Sequence, residues 1–186
     1  KAVSSLVDRD SNMAAMIIER DKEVNTLDVE IDDLCIRLLA LHQPAARDLR
    51  FITTALKITT DLERIGDMAV NICERALELN AEPQLKPYID VPRMARISQR
   101  MIHESLDAFV REDTDLALKV CKDDQEVDDL NSQVFRETVS FMIEDPHTIN
   151  RAMKISFISK YLERIADRAT SIAEMVVFMV KGKSIR

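Results

Sequence analysis

Glycine occupies only two positions in this chain, Gly66 and Gly182, and proline only five, Pro44, Pro83, Pro87, Pro92 and Pro146. So few breakers in 186 residues leave little room for the turns of a sheet protein and predict a handful of long helices. The prolines set the boundaries. Residues 1–9 read as the end of one helix, and the pattern is already helical at Lys1, so the leading helix is expected to be cut short. Ser11 is placed to cap a second helix running to about His42, and a third runs from about Ala45 to Leu79. Asn80–Val91 reads as a linker. A fourth helix follows from about Pro92 to Arg111, a fifth capped by Thr114 to about Ile143, and a sixth from about Thr148 to Val180. Helices of ~30 residues span ~45 Å.

The two halves repeat. Val7-Asp8-Arg9-Asp10-Ser11 answers Val110-Arg111-Glu112-Asp113-Thr114, and Leu62-Glu63-Arg64-Ile65-Gly66-Asp67 answers Leu162-Glu163-Arg164-Ile165-Ala166-Asp167. The offset drifts from 103 to 100 residues, which marks a duplicated helical unit rather than a short-period solenoid. Each long helix carries an apolar stripe at alternating spacings of three and four. It is Ile58, Leu62, Ile65, Ile72 and Leu79 in the third helix, Ile155, Ile158, Leu162, Ile165 and Ile172 in the sixth, and Leu27, Ile31, Leu34, Leu38 and Leu41 in the second. The expected fold is all-α, a tandem pair of antiparallel three-helix bundles from an internal duplication, with the first helix truncated. The expected division is residues 1–80 and 92–186, joined by 81–91.

With 4% aromatics and no Trp, the core must be built from Leu, Ile, Val, Ala and Met, and Met13, Met16, Met94, Met101 and Met175 are expected to fill it. A net charge of −7 argues against nucleic acid as a partner. Cys35, Cys73 and Cys121 form no CxxC pair and read as small core side chains. The longest apolar run, Met175–Val180, is far short of the ~18 residues of a membrane span.

Acidic residues carry the chemistry. Glu63 and Asp67 lie on a flank away from Leu62 and Ile65, Glu163 and Asp167 do the same in the second copy, and Glu74 and Glu174 continue that flank. The second helix has a polar ridge of Asp21, Asn25, Asp28 and Asp32, and the fifth one of Asp124, Asp128 and Asn131. Folding each hairpin about its proline brings these ridges to equal heights. Asn25 and Glu63 each lie 19 residues from Pro44, and Asp21 and Asp67 each 23. Asp128 and Glu163 lie 18 and 17 from Pro146, and Asp124 and Asp167 lie 22 and 21. Unit charges at ~4 Å repel by ~1 kcal/mol in water and by several times more near protein. Two readings are open: a solvated acidic face with Arg64 and Arg164 as counter-ions, or a cation site. Recurrence in register favours the second. Oxygen ligands suit Mg²⁺, Ca²⁺, Mn²⁺ or iron. No Cys or His joins the cluster as structural zinc would need, and none of the histidines completes the Glu-x-x-His of di-iron bundles. No glycine-rich phosphate loop, G-x-S-x-G elbow or Cys–His pair is present, so no active site is legible.

Asp21-Lys22-Glu23-Val24-Asn25, Gln43-Pro44 with Asp48-Leu49-Arg50, and Leu62-Glu63-Arg64-Ile65-Gly66-Asp67 resemble signature segments of the PhoU family of phosphate-uptake regulators. Glu163-Arg164-Ile165-Ala166-Asp167 and the closing Val180-Lys181-Gly182 resemble its second half, so the likeness covers essentially the whole chain. It implies two three-helix bundles whose E(D)xxxD motifs can bind multinuclear clusters of divalent or trivalent metal ions on the surface, here at Glu63/Asp67, Asp124/Asp128 and Glu163/Asp167. Asn25 departs from the motif, which implies a poorer first site or recruitment of Asp28. The resemblance further implies a cytoplasmic, non-catalytic negative regulator of the phosphate-starvation response. Its partners would be the phosphate ABC transporter ATPase, a sensor histidine kinase and a second copy of itself, and it would meet the membrane only through them. The competing expectations are a metal-dependent phosphohydrolase, which would need an open coordination position and a nearby general base, and a metal-free helical interaction module. Asp48 and Arg50 either brace the start of their helix or belong to a partner surface.

Overall fold

The computed structural model describes residues 1–182, so the last four residues of the expected second repeat lie outside the described residues. The chain runs through α1 (Ala2–Val7), α2 (Ser11–His42), α3 (Ala46–Asn80), α4 (Asp90–Arg111), α5 (Thr114–Glu144), a 3₁₀ turn at Pro146–Thr148 and α6 (Ile149–Lys181). Among the described residues there is no strand. Helices α4, α5 and α6 pack on one another as a three-helix bundle, helices α1, α2 and α3 form its shortened counterpart, and α3 packs on α6 to join the two.

The duplication extends to backbone geometry. The turn between α1 and α2 holds Arg9 at φ 53°, and the equivalent turn between α4 and α5 holds Glu112 at φ 54°. The next residue caps the following helix in both copies. Asp10 accepts the Met13 N–H at 2.9 Å, and Asp113 accepts those of Asp115 and Leu116 at 3.0 Å each. The caps are therefore Asp10 and Asp113, one residue before the expected Ser11 and Thr114. An Asp carboxylate at that position satisfies orphan N–H groups and also meets the positive end of the helix. Helix α4 starts two residues before Pro92, which fits because a first-turn proline lacks only an N–H that has no helical partner. At the far end Gly182 takes φ 66° and stops α6.

Helix α6 is the central element, flanked by α3, α4 and α5. Its Ile155, Ile158, Leu162, Ile165, Ile172 and Val176 are buried, as are Met94 and Met101 of α4. Helix α2 departs from expectation. Its stripe was read as core, yet Leu27 is 55% exposed and Leu41 76%, with Ile31 and Leu34 also open, and only Ala14 and Cys35 are buried along its length. Within the described residues α2 packs on α1 and α3, and no further helix lies against its stripe. Met16 is exposed as well. Cys35 and Cys73 are buried and Cys121 half-buried, each with a free thiol.

Two contacts fix how α3 meets α6. Arg50 Nε donates to the Met179 carbonyl at 3.1 Å, and Arg168 Nη1 donates to Asp61 Oδ1 at 3.1 Å. From one contact to the other α3 advances eleven residues (50 to 61) while α6 retreats eleven (179 to 168), so the helices run antiparallel. The same register puts Arg64 opposite Ile165 and Ile65 opposite Arg164, and the repeats meet at their shared motif. Arg50 thus braces α3 against the end of α6, and beside it Phe51 stacks on Phe109 with centroids 4.7 Å apart.

Candidate metal centre

The two acidic ridges meet because α2 and α3, and again α5 and α6, are long antiparallel neighbours with short turns at Pro44 and Pro146. In the first repeat Gly66 allows the close approach. A Cβ there would stand 3.0 Å from Asp21 Oδ1 and 3.4 Å from Val24 Cγ1. Around this point α2 brings Asp21 and Asp28, and α3 brings Glu63 and Asp67. The Glu63 carboxyl is pushed up by burial first, then by Asp67, Asp28 and Asp21, with Arg64 pulling the other way. Asn25 is exposed and donates its amide to Asp21 Oδ2 at 3.2 Å, so it steadies one carboxylate.

The second repeat assembles the same face from four carboxylates. Asp124 is pushed up to about 6 from 3.8, by burial and then by Asp128, Asp167 and Glu163. Asp128 and Asp167 are raised by partial desolvation against the neighbouring helix and by Glu163, although Asp167 keeps much of its surface open. Glu163 is held by Lys160, whose Nζ lies 2.5 Å from its Oε1. The Thr170 hydroxyl sits beside Asp124 and opposes its upward shift, yet neither that hydroxyl nor Asp124 Oδ1 completes a hydrogen bond. Asn131, expected on the ridge, instead accepts a hydrogen bond from Ser159 at 2.8 Å. Sequence reasoning missed Lys160 and Thr170. Lys160 lies three residues before Glu163, a spacing that signals an ion pair, whereas Thr170 becomes a neighbour only through packing of α6 on α5.

Orphaned oxygens test whether these residues suit a cation. Asp28 Oδ1, Asp124 Oδ1 and Glu163 Oε2 are buried without a hydrogen-bond partner. Buried polar atoms are nearly always satisfied, so each of these asks for a ligand. The donor set is oxygen only, which matches hard or borderline ions. As placed, no three such side chains among the described residues converge tightly enough to chelate an ion, and Asp67 and Asp167 remain exposed. The faces fit a cation in donor chemistry and charge, and closing on one needs side-chain rotation.

Comparison with known proteins agrees with this architecture. The PhoU domain model matches residues 1–76 and 91–176. The phosphate-specific transport system accessory protein PhoU homolog of Pseudomonas aeruginosa is 42% identical over all of this chain and 77% of its own length. The phosphate-specific transport system accessory protein PhoU of Escherichia coli is 36% identical over 185 residues and 77% of its length. The crystal structure of PhoU from Pseudomonas aeruginosa superposes with a TM-score of 0.93 at 43% identity, covering 98% of this chain and 88% of that one.

Proposed function

The chain belongs to the PhoU family, and on that footing we propose that it is a regulatory accessory protein of a phosphate-specific transport system whose paired acidic faces hold metal ions. The single observation that carries the metal reading is the set of buried, unpartnered carboxylate oxygens at Asp28, Asp124 and Glu163. Asp21, Asp28, Glu63 and Asp67 would hold the first ion, with the Asn25 amide as a weaker neighbour. Asp124, Asp128, Glu163 and Asp167 would hold the second. Mg²⁺, Ca²⁺, Mn²⁺ and iron all suit such oxygen donors. A bound cation supplies the positive charge that offsets the mutual repulsion of these groups.

The protein's own part is structural. Long, nearly unbroken helices hold the carboxylates at fixed heights, and the pairs that meet tie α2 to α3 and α5 to α6. Stiffened in this way, the helices present broad faces to partners. In this reading those partners are the ATPase of the phosphate ABC transporter, a sensor histidine kinase and a second copy of the chain, on the cytoplasmic side of the membrane. No helix among the described residues is long and apolar enough to cross a membrane, which accords with reaching the membrane through partners. The role needs no catalytic step.

Elemental analysis of chelated and reloaded protein tests the metal assignment. Glu163→Ala combined with Asp167→Ala is expected to abolish metal at the second face and leave the first occupied. Retained stoichiometry would overturn the assignment. Chelation is also expected to lower the melting temperature of the parent, because an ion bound only by the folded state stabilises it.

A further inference from the structure

The joint between the repeats holds a groove of about 600 Å³, within the ~300–1,000 Å³ range of small-molecule sites. Its walls are internally symmetric. Arg64, Asp67 and Asn71 line it from α3, and their equivalents Arg164, Asp167 and Ser171 line it from α6. Asn71 and Ser171 differ but are both polar, and the charge symmetry breaks where α3 contributes Met68 and α6 contributes Arg168. The result is three guanidinium groups against two carboxylates, in a chain whose net charge is −7. Arg168 is committed to Asp61 at 3.1 Å. Arg64 and Arg164 have no hydrogen bond or ion pair among the described residues.

Two guanidinium forks without a hydrogen-bond partner, one from each wall, suit a ligand with more than one oxygen edge, although Arg64 also acts on Glu63 through its charge. Each fork grips an edge through two parallel N–H···O bonds. A carboxylate has one such edge and serves one fork, whereas a tetrahedral oxyanion has several. The carboxylates then discriminate among tetrahedral anions. Ionised Asp67 and Asp167 accept hydrogen bonds and donate none. Near neutral pH sulfate is likewise an acceptor only and is repelled, while hydrogen phosphate carries an O–H that a carboxylate can accept. We propose that this groove binds free inorganic phosphate between Arg64 and Arg164, with Asp67 or Asp167 accepting a hydrogen bond from its hydroxyl. The site shares Asp67 and Asp167 with the proposed metal faces and to that extent rests on that reading, while its gripping residues Arg64 and Arg164 are not metal ligands.

Isothermal titration of inorganic phosphate into the chelated chain tests this, with sulfate and ATP as parallel titrants. Saturable phosphate binding is expected, at least about tenfold tighter than sulfate and tighter than ATP. Arg64→Gln with Arg164→Gln should weaken phosphate binding at least about tenfold. Arg64→Lys with Arg164→Lys, which keeps the charges and removes the forks, should also lose affinity, because the two cations are not interchangeable where the contact is bidentate. Both arginines are exposed, so the melting temperature should hold. Absence of saturable binding at millimolar phosphate, equal affinity for sulfate, unchanged affinity in the glutamine pair, or ATP binding more tightly than phosphate would each overturn the proposal. Metal content after reloading is read on the same samples. Its absence from the parent strikes the cation reading alone, and its retention in the glutamine pair shows that phosphate was lost independently of metal.

Discussion

Asp124 is the carboxyl most strongly displaced by its surroundings. Half-buried among Asp128, Asp167 and Glu163, it is pushed up to about 6 from 3.8. A group that holds its proton more tightly when folded than when unfolded stabilises the fold while protonated. That contribution is complete below the unfolded value of 3.8 and is lost as pH rises through about 6. Chelated protein is therefore expected to melt lower at pH 7 than at pH 5. Asp124→Asn should flatten that slope and raise the pH 7 melting temperature by about 2–4 °C, the equivalent of ~1 kcal/mol in a chain of this size. Identical slopes in parent and variant, recorded by thermal melts in EDTA, would refute this account. The caps give a second single-residue test. Asp113 satisfies two N–H groups, so Asp113→Ala should cost ~1 kcal/mol, while Thr114→Ala should cost clearly less. Equal losses in urea unfolding would return the cap to Thr114.

Helix α3 carries the only glycine inside a helix of this chain, and its position is informative. Glycine in a helix interior costs roughly 0.5–1 kcal/mol relative to alanine. At Gly66 that cost accompanies the approach of Asp21 from α2. A new methyl would press on Asp21 Oδ1 at 3.0 Å, and a carboxylate oxygen at the end of a rotatable side chain moves aside. Gly66→Ala should therefore raise the melting temperature of the chelated chain and weaken the first face for cations while leaving the second unchanged. Metal titration showing equal affinity at the first face would count against a ligand role for Asp21. The second copy already has Ala166 at the equivalent position, fully buried, so the two faces differ in fit as well as in ligand count.

Across the whole molecule, the repeats are joined by contacts that duplication alone does not supply. At one end of the α3–α6 joint Asp61 meets Arg168. By the 100-residue offset their equivalents at the other end are Tyr161 and Met68, an apolar combination packed with the core. Asp61 is 9% exposed, so removing its partner leaves a largely buried charge. Arg168→Met should destabilise by about 1–3 kcal/mol, and adding Asp61→Asn should recover much of that loss. Chemical denaturation of the two variants reads the difference, and a double variant no more stable than the single would show that the pair contributes nothing specific. The joint also carries the groove lined by Arg64 and Arg164, so its register governs both the union of the repeats and the surface between them.

What the sequence determined by itself is local and periodic. The breakers placed the helix ends to within a residue or two, because Pro44, Pro146 and Gly182 act through their own φ and missing N–H groups. The repeated motifs revealed the duplication, and counting outward from the prolines brought Asp124 to Asp167 and Asp128 to Glu163, because helical rise is constant. Caps were read one residue late, since Ser11 and Thr114 compete with Asp10 and Asp113 for the same orphan N–H groups and the turn backbone chooses between them. Leu27, Leu34 and Leu41 stand open within the described residues, because an apolar stripe shows which face seeks a partner and burial follows only where a neighbouring helix lies against it. The Asp61–Arg168 pair, the place of Thr170 beside Asp124 and the arginine groove came from tertiary structure alone. Each joins residues about 45 to 110 positions apart, and their meeting depends on how whole helices rotate and cross, which no local pattern encodes.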